Sequence, residues 1–317
     1  MNNIPANESP DAQALLNQIV KDYMREQKRK RRWRWVMWII AFLLILLFTR
    51  QFAFNEEDKS LRTKPHVGLV DISGTIFDTQ SASAENFAKS MDAAYENIGL
   101  KAIILRINSP GGSPVQADYM YNTVQYYRKK YPDVKVYAVC VDMCASAAYY
   151  VAAAADEIYA NPSSMVGSIG VLYNGFGFVD TMHKLGVTRR LQTAGSNKGF
   201  LDPFSPVTPE QQAILQNMLD TIHLVFINRV KEGRGNRIQV DNLTFSGLFW
   251  AGQQAKERGL IDGFASSGQV AREIVKIDQV IDYTHKPSIF ERVAKNIGTA
   301  IADQLPLAMG VKPGVNA

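Results

Sequence analysis

Cysteine is scarce in this chain: two residues in 317, which excludes a disulfide-built scaffold. Histidine is nearly as scarce, at four. No apolar run reaches the roughly 20 residues of a comfortable membrane span, so a multi-span membrane protein is excluded. Neither G-x-x-x-x-G-K-[ST] nor G-x-G-x-x-G occurs, which disfavours nucleotide binding. No internal repeat stands out. The formal charge is +5, but residues 1–34 hold eight Lys/Arg against four Asp/Glu. The remaining chain is close to neutral and lacks a basic stripe that would neutralise a phosphate backbone, so nucleic acid is not an expected partner. At 46% hydrophobic and 21% charged, the chain is an ordinary globular one rather than a disordered or collagen-like one.

Near the N-terminus, Trp35–Thr49 is an uncharged run of fifteen residues behind the basic stretch Lys28–Arg34. It is short for a span, but Arg34 and Arg50 can snorkel, and Trp33, Trp35 and Trp38 suit an interfacial belt. The expectation is one transmembrane anchor at 35–50, with 1–34 a cytoplasmic basic segment by the positive-inside rule. A linker would follow at 51–64, then a translocated body. In a bacterium the anchor would sit in the inner membrane and the body would face the periplasm.

Within the body, short apolar runs alternate with helical patterns. Strands are predicted at Val67–Ile72, Ala102–Ile107, Val134–Val141 and Asp156–Ala160. Helices are predicted at Ala84–Tyr95, Val115–Lys130, Ala145–Ala155, Phe176–Leu185, Pro209–Lys231 and Ala251–Arg258. This rhythm implies an α/β fold, a parallel or mixed sheet covered by helices. Phe290–Leu305 reads as a terminal amphipathic helix. The domain expectation is a body over 65–285 and a C-terminal helix and tail over 286–317.

Two turns carry chemistry. Asn108-Ser-Pro-Gly-Gly-Ser-Pro114 joins a buried strand to a helix, with Ser113 a plausible N-cap and Pro114 at N1. Backbone N–H groups at such a start can hold an anion or a developing oxyanion. A tight βα turn needs Gly and Pro anyway, so this loop alone leaves both readings open. The second turn is Asp142-Met-Cys-Ala-Ser-Ala-Ala-Tyr-Tyr150, which places Ser146 at a strand-to-helix junction among small residues. It can be an exposed nucleophile or a plain helix cap. A nucleophilic serine needs a base. His66, His183, His223 and His285 sit in no catalytic-looking turn, so a Ser-His-Asp triad is weakly supported. Lysine is the alternative, and Thr193-Ala-Gly-Ser-Asn-Lys-Gly-Phe200 offers Lys198 in a Gly/Ser turn, where it can equally be a solvated loop residue. Cys140 and Cys144, without His or acidic company, read as buried small residues rather than metal ligands. Asp142 and Asp156 read as structural. No cofactor or metal is implied.

These stretches, together with Gly167-Ser-Ile-Gly-Val171 and Gln254-Ala-Lys-Glu-Arg-Gly-Leu-Ile-Asp262, resemble in order and spacing the signal peptide peptidase A (SppA) family of serine–lysine peptidases. The resemblance runs from about Val67 to Gly263. It implies the crotonase/Clp-protease-like fold of stacked β-α units. It implies Ser146 as nucleophile, Lys198 as general base and Ser168 as the hydroxyl that orients the lysine amine. The oxyanion hole would be built from Gly111 or Gly112 and the N–H of Ala147. Many members carry Gly-Gly after the serine, where this chain has Ala147-Ala148. Short-form members assemble into homo-oligomeric rings, in which serine and lysine can come from neighbouring subunits. The implied activity is a membrane-bound serine endopeptidase hydrolysing cleaved signal peptides or other apolar extended polypeptides through an acyl-enzyme, with peptides and membrane lipid as partners. The alternatives are an acyl-CoA hydratase or isomerase of the same fold group, for which no pair of acids flanks the glycine loop, and an inactive membrane scaffold.

Overall fold

The structure is a computed structural model that describes the backbone of residues 10–286 and the side chains of residues 18–46 and 63–286. The predicted helix Phe290–Leu305 lies outside the described residues. The chain divides into two units, residues 1–61 and 62–317.

The first unit is one helix, α1 (Pro10–Thr63), so residues 51–63 are helical rather than the expected linker. Nothing in Gln51–Thr63 breaks a helix, since neither Gly nor Pro occurs there. Its described apolar side chains, Trp33, Trp35, Trp38 and Phe42 among them, are exposed. Among the described residues no helix is long and apolar enough to cross a membrane, so the expected transmembrane anchor is not supported. Fifteen uncharged residues rise only about 22 Å, against a hydrocarbon core of about 30 Å.

The second unit is built on a mixed sheet with helices on its faces. Its strands are β1 (His66–Ser73), β2 (Leu100–Ser109), β3 (Lys135–Ala145), β4 (Glu157–Ala160), β5 (Met165–Gly167), β6 (Phe249–Ala251), β7 (Gly263–Phe264) and β8 (Val280–Asp282). Along the main path the order is β6-β5-β3-β2-β1-β8, with β4 pairing β3 and β7. All pairings are parallel except β5 with β6. The four long predicted strands are found. β5 to β8 are two or three residues each, too short to show a period.

Helices α2 (Ala84–Tyr95), α3 (Pro114–Lys130) and α4 (Ala147–Ala152) pack on one face of the sheet over Val70, Ile72, Ile103, Leu105, Ile107, Val136 and Ala138. The small side chains of Ala147, Ala148, Ala152 and Ala153 let α4 sink into this core, where every residue of the helix is buried. Ser83 and Ser113 cap α2 and α3 by accepting from Asn86 N and Gln116 N. The opposite face is thinner: Val67, Ala102, Ile104 and Val139 meet Val270 and Ala271 of a wide-turn helix, Val270–Val275.

Beyond β5 the chain leaves the sheet. Over residues 171–208 it holds only the short helix α5 (Val179–Lys184), less than the predicted Phe176–Leu185. It returns as α6 (Pro209–Arg234), opened by a Thr208/Gln211 capping box, and α7 (Gly252–Glu257) follows β6. Where α6 ends, Arg234 is 1% exposed and grips Asp262 with two parallel bonds of 2.7 and 2.9 Å. Burial pushes the Asp262 carboxyl up, but the bond and charge of Arg234 outweigh it and hold the group below its ordinary value.

Candidate active site

The site is built where β3 changes partner. Its first half pairs with β4 (Tyr137–Cys140 with Glu157–Ala160), and its last residues pair with β5 (Met143–Ala145 with Met165–Gly167). Against β2 the register jumps from Ile107↔Cys140 to Ser109↔Cys144, so β3 carries two extra residues there. Asn108 holds the bulge from both sides. Its amide donates to Asp142 Oδ2 at 3.0 Å, and its oxygen accepts from Met143 N at 3.1 Å. The strand therefore continues past the predicted end at Val141 to Ala145, and α4 starts two residues later than predicted.

Ser146 sits between β3 and α4 with φ 54° and ψ −125°. A left-handed non-glycine residue costs about 1–3 kcal/mol and is kept only where its surroundings force it. Here its N–H donates to Gly167 O at 2.8 Å and its carbonyl accepts from Tyr150 N at 3.0 Å. The hydroxyl has no hydrogen-bond partner among the described residues and is partly exposed.

The glycine loop lies directly against this turn. Ser109 is fully buried, and its Oγ accepts from Gly111 N at 3.1 Å. Gly111 O accepts from Ile76 N, and Ile76 O accepts from Ser113 N. These bonds occupy the N–H of Gly111. The N–H groups of Gly112 and Ala147 have no acceptor among the described residues. Gly111 has φ 105°, and a Cβ there would stand 2.7 Å from Ser146 Cβ and 3.0 Å from Ala147 N. A Cβ on Gly112 would stand 2.1 Å from Ile76 O.

Ser168, after β5, is the second left-handed serine, with φ 52°. Its N–H donates to Leu248 O at 2.8 Å, and its carbonyl accepts from Gly170 N at 3.0 Å. Ser146, Ser168, Gly112 and Ala147 line one cleft of about 1070 Å³, with Val115, Tyr119, Val171, Leu172 and Phe226 forming apolar walls. The structure thus brings together the two serines and two of the three expected N–H donors.

Lys198 does not join them: it is absent from the cleft lining and exposed, in a turn closed by its own N–H to Gly195 O. The segment around it is solvent-facing but apolar, with Leu172 80%, Phe176 74% and Leu185 72% exposed.

Four cleft neighbours were not legible as site residues. His223 of α6 bonds Ile169 O through Nε2 at 3.0 Å, beside Ser168. Asp118 of α3 accepts from the Tyr150 hydroxyl at 2.7 Å and from Arg229 Nε at 3.2 Å. Only the one-turn offset of Asp118 and Tyr150 from the two loops hinted at their place. Of the other histidines, His66 is buried between Lys64 O and the Tyr283 hydroxyl, and His183 is exposed on α5.

Cys140 and Cys144 are free and buried. Burial, with Cys144's hydrogen bond to Cys140, pushes the Cys144 thiol up, which makes it a poor nucleophile. Among the described residues no group of three His, Cys, Asp or Glu side chains could hold a metal ion. Asp156 is structural, binding Arg128 and the Val136 N–H.

Two family models and several curated proteins match parts of this chain. Residues 128–280 match the model of peptidase family S49, and residues 70–166 match that of Clp protease. A Brucella abortus protein named Na(+)/H(+) antiporter NhaA is 41% identical over 60% of this chain, and the chain spans only 26% of that protein. A putative protease of Methanocaldococcus jannaschii is 32% identical over 65% of each chain. A putative signal peptide peptidase SppA of Enterococcus faecium is 26% identical over 66% of this chain and 60% of its own length. Residues 128–280 are thus similar to peptidase family S49 and residues 70–166 to Clp protease, and the mixed α/β sheet of the body is consistent with a Clp-protease-like fold.

Proposed function

We propose that the chain is a serine endopeptidase in which Ser146 is the nucleophile and Gly112 N–H and Ala147 N–H stabilise the oxyanion. The observation that carries this is the strained Ser146 turn, with a free hydroxyl and two unoccupied N–H groups beside it in one apolar cleft. Gly111 contributes by its lack of a side chain, since its own N–H is spent on Ser109.

Lys198 of a neighbouring copy serves as the base, and Ser168, which lines the same cleft and whose hydroxyl has no partner among the described residues, orients the amine. The exposed apolar segment 171–208 supports this, because a second copy packed on it would bury Leu172, Phe176 and Leu185 and bring the lysine inward. Neutral Lys198 takes the proton of Ser146 Oγ as the oxygen attacks a peptide carbonyl. The oxyanion forms against the two N–H groups. The lysine then returns the proton to the leaving amine, and water hydrolyses the ester. Apolar walls favour extended apolar substrates, cleaved signal peptides among them.

Residues 35–50 attach the chain to a membrane, bacterial and cytoplasmic, with the body on the outer side.

The test is turnover of a fluorogenic apolar peptide by the full chain. Ser146→Ala and Lys198→Ala are each expected to be inactive while folded and assembled. Mixing the two variants restores activity if the pair is shared between copies, since one interface then holds an intact serine and an intact lysine. A Lys198→Ala protein as active as wild type removes lysine from the mechanism. An active Ser146→Ala removes the reading altogether.

A further inference from the structure

The two N–H groups assigned to the oxyanion come from different helices. Gly112 stands two residues before α3, and Ala147 is the first residue of α4. The distance between the donors is therefore the distance between the starts of two helices. Apolar packing of α3 on α4 supplies cohesion but little directional control.

Directional control is present one turn in. The Tyr150 hydroxyl of α4 donates to Asp118 Oδ1 of α3 at 2.7 Å. Asp118 Oδ2 accepts from Asn122 Nδ2 at 2.8 Å, and Arg229 of α6 donates to Asp118 Oδ1 at 3.2 Å and to Asn122 Oδ1 at 3.3 Å. The carboxylate is thereby fixed on both oxygens. Tyr150 is 3% exposed, its ring 4.9 Å from that of Phe226 and edge-on to Tyr121 at 5.7 Å. The Arg229 guanidinium lies 5.0 Å over the Tyr121 ring. Burial and the Asp118 bond push the Tyr150 phenol well up, so it remains a donor across the working pH range. Asp118 and Tyr150 both line the cleft that holds Ser146. A carboxylate there would repel an anionic intermediate if left bare, and Arg229 offsets its charge.

We infer that Tyr150, Asp118 and Arg229 form a clamp that sets the spacing of the Gly112 and Ala147 N–H groups, and that they are positioning residues for the oxyanion. This rests on the reading of Ser146 as nucleophile. A spacing role acts on the transition state and leaves ground-state binding alone, so it shows in kcat rather than KM.

The experiment uses the full chain and a fluorogenic apolar peptide, with melting temperature measured on every variant. Tyr150→Phe, which removes one oxygen, is expected to lower kcat by roughly tenfold, less than the loss of a whole donor, with KM within about twofold of wild type. Asp118→Asn keeps an acceptor for the hydroxyl and is expected to retain most activity. Asp118→Ala should match Tyr150→Phe, and the double variant should be no worse than either. A peptidyl boronate, which mimics the tetrahedral adduct, should lose affinity by the same factor as kcat. A Tyr150→Phe enzyme with unchanged kcat overturns the inference, as does a kcat loss that merely follows the folded fraction or a loss confined to KM. Ser146→Ala run alongside separates the two failures. If it is inactive while Tyr150→Phe is normal, the clamp is wrong; if it is active, the nucleophile assignment beneath the clamp is wrong.

Discussion

Replacing Gly111 by alanine adds one methyl group at the closest approach in the site. The new carbon would stand 2.7 Å from Ser146 Cβ, 2.9 Å from Ala145 O and 3.0 Å from Ala147 N. Carbon–carbon contacts become favourable near 3.5 Å, so the first overlap is about 0.8 Å. None of the three opposing atoms is the free end of a flexible side chain, so rotation cannot relieve it. The φ of 105° adds strain, on the order of 1–3 kcal/mol for a residue with a side chain. Relief requires the glycine loop and the Ser146 turn to separate by most of the overlap. Displacement of about 1 Å in a reacting constellation costs roughly a hundredfold in rate. We expect kcat/KM for an apolar peptide to fall about a hundredfold. The melting temperature should drop by about 2–8 °C, the effect of one to two kcal/mol in a domain of this size. Labelling of Ser146 by a fluorophosphonate should slow in parallel. A Gly111→Ala enzyme within threefold of wild type in both assays would refute the claim that loop and serine turn are held in direct contact.

Other outcomes follow from the same geometry. Because Arg234 stays buried when its partner loses charge, Asp262→Asn is expected to cost about 3 kcal/mol at neutral pH. The Asp262 carboxyl sits below its ordinary value, so its stabilisation is full above the unfolded value and lost as pH falls through the folded one; the gap between wild type and Asp262→Asn in urea melts should close in acid. Ser168→Ala should lower kcat while leaving fluorophosphonate-labelled Ser146 detectable, and equal kcat would remove Ser168 from the site. Replacing Lys28, Arg29, Arg31 and Arg32 by Gln should weaken binding to phosphatidylglycerol vesicles by about 1 kcal/mol per charge at most, and unchanged binding would show that these cations do not meet the lipid.

Legibility from sequence divides along physical lines. The predicted bounds of α2 match the structure to the residue because its apolar stripe repeats through three turns; the Ser83 cap that fixes its start is seen only in the structure. β1 and β2 stand out as apolar runs, Val67–Ile72 and Ala102–Ile107, broken only by Asp71 and Arg106, close to how strands covered on both faces look. β5 and β6 could not be read, since three residues hold no period; they form only because the end of β3 offers an edge. The extension of β3 past Val141 depends on Asn108, a residue on another strand, holding the bulge. Ser146 was visible as a serine at a strand-to-helix junction among alanines, but its left-handed backbone was not. Both glycines of the loop were named, yet which one keeps a free N–H is decided by buried Ser109. Lys198 stands out in its Gly/Ser turn only as one of two open readings, and the resemblance to a family is what favours a base over a solvated loop residue. Asp118 and Arg229 stand far apart in the chain, and only folding makes them neighbours.

The change of partner along β3 has a mechanical consequence. The strand's long pairing with β2 and its pairing with β4 anchor the deep core, whereas Ser146 hangs on the far side of the bulge, zipped to β5 by three residue pairs. β5 in turn is zipped to β6 by three more. Unzipping this short flap costs far less than melting the sheet. Amide exchange at Val166 and Trp250 should outpace that at Ile104 and Val136 by orders of magnitude. The Ser146 turn is thus a detachable corner on a rigid block. A contact made at that corner would hold or shift the Ser146 turn without the block having to change.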